Sequence, residues 1–166
     1  MLLLVVSALL THAAWAQVSG NAFQGFKSDS KSPIQVEADQ LEVLDGQNKA
    51  VYNGRVKILQ GSSVVTTDKM VVHYGGRKNS SGQGGIERLD FNGNLVVTSG
   101  TNTATADKGT YWVRTEKVEL VGNVVVSQGA SAAKGCRLTA NLKTNVAKIH
   151  ACKSGGRVST ILTPNK

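Results

Sequence analysis

Asp39, Asp68, Asp107 and Cys136 recur at regular intervals, and carboxylates or a thiol held at repeated positions are the first candidates for chemistry in this chain. Asp68 follows Asp39 by 29 residues, Asp107 follows Asp68 by 39, and Cys136 follows Asp107 by 29. Paired carboxylates could act as general acid and base, but these stand at corners and turns with no evident partner. His73, on a strand, and His150, at a strand end, are each alone, and no Cys/His/carboxylate cluster has the spacing of a zinc site. The run Gly82-Gln83-Gly84-Gly85 resembles a phosphate loop only in composition, because no helix follows it. No Gly-x-Ser-x-Gly, P-loop or dinucleotide fingerprint occurs. These residues argue against an enzyme, and no metal or cofactor is expected. The aspartates have a structural use instead. Where a strand bends, a carboxylate can accept hydrogen bonds from the backbone N–H groups that the bend frees.

The elements that position these residues form a repeat. The segments Gly54 to Gly61, Gly93 to Gly100 and Gly122 to Gly129 each run Gly-x-φ-x-φ, and each is followed seven residues later by Asp68, Asp107 or Cys136. The middle interval is longer because it contains the Gly- and Ser-rich insert Gly75 to Gly85. A fixed period with one inserted loop marks a repeat architecture.

Each unit is strand, turn, strand. Val56 and Ile58 alternate with Arg55 and Lys57, so one face is dry and the other wet. The same parity expects a dry face made of Ile34, Val36, Leu41, Val43, Tyr52, Val56, Ile58, Val72, Leu89, Phe91, Leu95, Val97, Tyr111, Val113, Leu120, Val124 and Val126. The parity reverses at Asp39, Asp68 and Asp107, which requires a bulge or corner. No amphipathic helix is expected anywhere. The chain is therefore all-β, with two rows of apolar side chains facing each other about 10 Å apart. Its terminal strands are open edges that can pair with another chain.

Cys136 and Cys152 are the only cysteines. They occupy the positions that Asp107 and Asn123 hold one unit earlier, so they should face each other on neighbouring strands. In an exported protein that geometry favours a disulfide.

Residues 1–16 have the form of a secretory signal: an apolar run from Leu2 to Leu10, then Ala14-Trp15-Ala16 as a cleavage site. No Lys or Arg precedes the run, and the alternative is an uncleaved anchor, although the run is shorter than the roughly 20 residues that span a bilayer. Residues 17–32 form a leader without periodicity, and 33–164 a single domain that Pro33 opens and Pro164 closes. The formal net charge is +8, spread over the wet face and turns. A solvated face explains most of it; attraction to an anionic ligand or membrane surface is the sharper use.

Ile34-Gln-Val36-Glu-Ala-Asp39-Gln, Thr67-Asp68-Lys-Met70-Val-Val, Gly93-Asn-Leu-Val-Val-Thr, Ala106-Asp107-Lys, Gly122-Asn-Val-Val-Val and the ending Gly156-Arg157-Val158-Ser-Thr160-Ile161-Leu162-x-Pro164 resemble the OstA-like family of lipopolysaccharide transport proteins. The resemblance runs from Ile34 to Pro164, and Cys136 departs from it by replacing a corner Asp. It implies a β-jellyroll of two facing antiparallel sheets open along one side. It also implies a periplasmic bridge protein that takes lipopolysaccharide, through its lipid A acyl chains, between the sheets. The dry residues named above would line that groove. The implied partners are LptC at the amino-terminal edge, LptD at the carboxy-terminal edge, and further copies of the chain stacked head to tail.

Three other readings stand beside this one. A membrane-anchored, LptC-like jellyroll of the same pathway would retain the amino-terminal run. A nucleic-acid-binding β domain would need aromatics on a basic face, whereas Tyr52, Phe91 and Tyr111 fall on the dry one; nucleic acid is not expected as a partner. An exported structural β-repeat would bind no lipid.

Overall fold

Alternating Val, Ile and Leu produce long strands. The computed structural model describes residues 32–78, 84–152 and 155–163. The expected signal, nearly all of the leader, and Pro164 lie outside the described residues. The strands are β1 (Gln35–Glu37), β2 (Gln40–Leu44), β3 (Lys49–Gln60), β4 (Ser63–Lys78), β5 (Gly84–Ser99), β6 (Asn102–Trp112), β7 (Lys117–Gln128), β8 (Ser131–Asn141), β9 (Val146–His150) and β10 (Ser159–Ile161). A 3-10 turn, Asp45–Gln47, joins β2 to β3. The order is β1-β3-β4-β5-β6-β7-β8-β10, with β2 on β3 and β9 on β8, and every pairing is antiparallel.

The long strands are bent in the middle. Register shifts fall mid-strand at Asn53/Val56, Thr66/Lys69, Asn92/Leu95, Thr105/Lys108 and Val121/Val124, and the β4–β5 pairing shifts again on either side of Tyr74. This line of bulges folds the ribbon into two facing sheets, as bulged strands do at corners. Sheet I contains β1, β10 and segments 56–60, 63–67, 95–99, 102–106, 124–128 and 131–135. Sheet II contains β2, β9 and segments 49–53, 69–74, 84–92, 108–112, 117–121 and 137–141. The section is a V. Its apex is the line of corners, and its two free lips are the turns at the far ends of the strands.

Two kinds of corner alternate. In β4, β6 and β8 the inward parity reverses: Val65 and Thr67 give way to Met70 and Val72, Ala104 and Ala106 to Gly109 and Tyr111, and Gly135 to Leu138 and Ala140. The residues between them, Asp68-Lys69, Asp107-Lys108 and Cys136-Arg137, stand outside. In β3, β5 and β7 the parity is kept across Gly54-Arg55, Gly93-Asn94 and Gly122-Asn123. Both residues of each pair have positive φ, 77° and 45°, 86° and 45°, 82° and 46°. Glycine adopts this region without strain and asparagine tolerates it.

A Cβ on Gly54, Gly93 or Gly122 would run into the carboxylate of Asp39, Asp68 or Asp107. Each aspartate therefore lies over a bare backbone. The expected backbone N–H donors are replaced by side chains. Asn123 Nδ2 donates to Asp107 at 3.1 Å, Asn94 Nδ2 to Asp68 at 2.9 Å, and Arg55 Nε to Asp39 at 2.9 Å. The carboxylate reaches across the corner to the next bend instead of turning back on its own strand.

The buried side chains form two clusters between the sheets. One holds Ala50, Val56, Ile58, Met70 and Val72. The other holds Leu95, Ala104, Ala106, Leu120, Val124, Val126, Leu138, Ala140 and Leu142. Val65 and Phe91 pack against both.

Candidate functional site

Between the sheets lies a cavity of about 650 Å³, within the range of roughly 300–1,000 Å³ usual for small-molecule sites. Inward residues line it because cross-strand partners share a face. Leu89 pairs with Val72 and Tyr111, and Val97 pairs with Val65 and Ala104. The wall on sheet II is aromatic and bulky, with Tyr52, Met70, Tyr74, Phe91, Tyr111 and Leu138. The wall on sheet I is slimmer, with Val36, Ile58, Val65, Val97 and Ala104, and ends toward its lip in Gln60 and Ser63. Gly109 makes room on the floor: a Cβ there would overlap the side chains of Leu95 and Leu120.

Of the residues expected on the dry face, Ile34, Val36, Tyr52, Ile58, Val72, Leu89, Phe91, Leu95, Val97, Tyr111, Val113 and Leu120 border this cavity. Val56, Val124 and Val126 face inward but are sealed in the core, at 1%, 0% and 5% exposure. Val56 and Val124 adjoin the bulges, where the sheets are closest and no space is left. Leu41 and Val43 are opposite Tyr52 and Ala50, on the same face, yet are 52% and 59% exposed. They lie on the outermost strand of sheet II, beyond the span that β1, only three residues long, can cover.

The lining also contains Met70 and Val118, which share the dry parity of Val72 and Leu120, and residues outside the expectation, Tyr74, Ile86, Leu138, Ala140 and Leu142 among them. For Leu138 and Ala140 a signal existed. They follow Cys136 by two and four residues, as Met70 and Val72 follow Asp68. That rule also places Gly109 ahead of Tyr111, with Val113 in the turn at the lip.

Burial pushes the Tyr111 hydroxyl above its usual range, with the nearby Glu116 carboxylate adding to the effect. Burial likewise raises Tyr74, helped by Tyr52. Both phenols stay neutral at physiological pH, as suits an apolar groove.

The outer faces hold the charge. His73, expected to be alone, has partners: its Nε2 is 2.7 Å from Asp90 Oδ2, and Arg88 Nη2 lies 3.1 Å from His73 Nε2 and 3.0 Å from Asp90 Oδ2. The group ties β4 to β5. Arg137 donates to Glu119 at 2.8 Å. Among the described residues, no group of three His, Cys, Asp or Glu could hold a metal ion. Cys136 and Cys152 form a disulfide, with Cα atoms 5.0 Å apart.

The family described as "LptA/(LptD N-terminal domain) LPS transport protein" matches residues 35–146. The lipopolysaccharide export system protein LptA of Escherichia coli K12 is 30% identical over 144 residues, which is 83% of this chain and 75% of that protein. An uncharacterised protein of Rhizobium meliloti 1021 is 34% identical over 161 residues, 95% of this chain and 86% of its own. Among solved structures, LptH of Pseudomonas aeruginosa, described as the LptA-homologous periplasmic component of the lipopolysaccharide transport device, superposes with a TM-score of 0.70. It is 20% identical, and the match covers 83% of this chain and 100% of that one. That likeness extends the jellyroll architecture to the present fold.

Proposed function

Because the chain belongs to the lipopolysaccharide transport family that unites LptA with the amino-terminal domain of LptD, we propose that it is a periplasmic bridge for lipopolysaccharide. It carries the lipid from an inner-membrane export complex toward an outer-membrane translocon. The acyl chains of lipid A occupy the space between the sheets, and the sugars stay outside. The observation behind this reading is the apolar cavity of about 650 Å³, lined by both sheets and bounded by two free lips.

Apolar surface removed from water contributes roughly 25 cal/mol per Å². That force has no direction, so a chain can move along the groove without losing a specific contact. A conduit needs this property more than a tight carrier does.

The ends supply the route onward. β1 and β2 close one end of the ribbon, and β9 and β10 the other. Each outermost strand presents backbone groups for β-augmentation. In this reading the amino-terminal edge meets LptC, the carboxy-terminal edge meets LptD, and copies of the chain can stack head to tail.

A photo-crosslinking residue at Val36 or Tyr111, both on the cavity wall, captures lipopolysaccharide in vivo. One at Lys57, exposed on the outer face, does not. Equal capture at both places would overturn the groove assignment.

A further inference from the structure

Two lips bound the mouth of the groove, and their chemistry differs. The lip of sheet I is built from hairpins 60–63, 99–102 and 128–131, which read Gln-Gly-Ser-Ser, Ser-Gly-Thr-Asn and Gln-Gly-Ala-Ser. None of these side chains is ionisable. They carry hydroxyls and amides, with Ser99 and Asn102 buried and Ser63 Oγ bonded to Ser99 Oγ at 3.0 Å.

The lip of sheet II is charged. Its described turns carry Asp45, Lys49, Arg114, Glu116, Lys117 and Lys143, with Glu87 and Arg88 beside them on β5. Backbone bonds join the turns side by side: Val113 N–H donates to Glu87 O and Leu142 N–H to Glu116 O, both at 2.9 Å. Arg114, Lys117 and Lys143 are thereby gathered on one stretch of lip, all exposed. Arg114 reaches Glu87 only at 3.7 Å, with the two side chains 86% and 52% exposed. So open a pair holds weakly and yields to a better anion. Lys117 and Lys143 make no ion pair among the described residues. Directly inside this stretch, Tyr74, Ile86, Val113 and Leu142 line the cavity.

We propose that this asymmetry orients the bound lipid. The phosphate groups of its headgroup rest on Arg114, Lys117 and Lys143, and its uncharged sugar hydroxyls face the lip of sheet I. The proposal rests on the reading of the cavity as a lipid groove. Charge-assisted bonds to phosphate are stronger than bonds between neutral groups, so a phosphate gains more on the cationic lip than on the neutral one. Glu116 lies on the cavity side of the same lip. Its carboxylate repels a phosphate from the interior and keeps the headgroup outside.

The test is equilibrium binding of two probes to the whole protein: lipid A carrying its phosphates, and the same lipid A with the phosphates removed. Two variants of equal charge change are compared, Arg114→Gln/Lys117→Gln/Lys143→Gln on the lip and Lys57→Gln/Lys134→Gln/Lys148→Gln on the outer faces. The lip variant is expected to bind phosphorylated lipid A about tenfold more weakly than wild type, as three exposed ion pairs together predict. Its binding of the dephosphorylated lipid should be unchanged, and the outer-face variant should match wild type for both lipids. The orientation is overturned by an equal loss in the outer-face variant, by an equal loss for the dephosphorylated lipid, or by no loss at all. Wild-type protein that binds neither lipid would overturn the groove reading itself, and the orientation with it.

Discussion

Cys136 is bonded to Cys152 at the place in the repeat where Asp107 meets Asn123. Both pairs are 16 residues apart, as are Asp39 and Arg55. Asp68 and Asn94 are 26 apart, because the insert lies between them. Three corners are clasped by an exposed polar contact and the fourth by a covalent bond. The covalent clasp sits near the carboxy-terminal end of the ribbon. β9 has five residues and β10 three, and every residue of β10 is exposed. Cys152, two residues beyond the end of β9, is tied to Cys136 at the corner of β8.

The disulfide should be the costliest clasp to remove. Closing a loop of about 15 residues contributes roughly 3 kcal/mol in the chain-entropy model. A Cys136→Ser/Cys152→Ser variant is expected to lose about that much in urea denaturation. Intact mass after alkylation, with and without reductant, checks the starting state. Two freely alkylated thiols in protein purified from the periplasm would refute the oxidised form.

Gly122→Ala should be more damaging than Gly129→Ala, although both positions have positive φ, 82° and 54°. The turn at Gly129 has open space for a Cβ, and the corner at Gly122 has the Asp107 carboxylate in the way. The left-handed conformation alone costs roughly 1–2 kcal/mol for a residue with a Cβ. The excess at Gly122 should shrink when Asp107→Ala is added, as read from chemical denaturation midpoints. An excess that survives in the double variant would mean that the carboxylate is not the obstacle.

Assembly through the carboxy-terminal edge is expected to fail in Ile161→Lys. Ile161 is 66% exposed on the outermost strand of sheet I, so the fold loses little packing. A lysine on an edge strand opposes pairing with another chain. Sedimentation should show wild type lengthening with concentration and the variant remaining at its smallest species, with the same thermal midpoint. A variant that lengthens like wild type would exclude this edge as the joint.

Alkaline pH should destabilise the protein through Tyr111 and Tyr74. Burial raises both hydroxyls above the ordinary value of 10.0. Above pH 10 the unfolded chain releases these protons while the folded one still holds them. Stability is therefore full below pH 10 and is lost as the pH rises through the folded values. A Tyr111→Phe variant should lose less between pH 10 and 11.5 than wild type, as followed by urea midpoints at each pH. Identical slopes would show that the phenol is not the group responsible.

Much of this fold was legible in the order of residues. Alternation showed which side chains share a face, because strand geometry points neighbours to opposite sides regardless of context. The reversal of parity at Asp39, Asp68 and Asp107 marked the bends, since a strand that changes its inward set must be bulged or cornered. The equal spacing of Cys136–Cys152 and Asp107–Asn123 indicated the disulfide. Other features depend on distant segments meeting in space. Leu41 and Val43 have the correct parity, but burial requires an opposing layer, and β1 is too short to provide one. Val56 and Val124 alternate like Val97, yet the closeness of the sheets at the corner leaves them sealed and Val97 on the cavity wall. His73 finds Asp90 and Arg88 only through the register of β4 and β5, which follows from where the bulges fall. The two lips are built from turns far apart in the chain, and their contrast of charge exists only once folding sets one row of turns against the other.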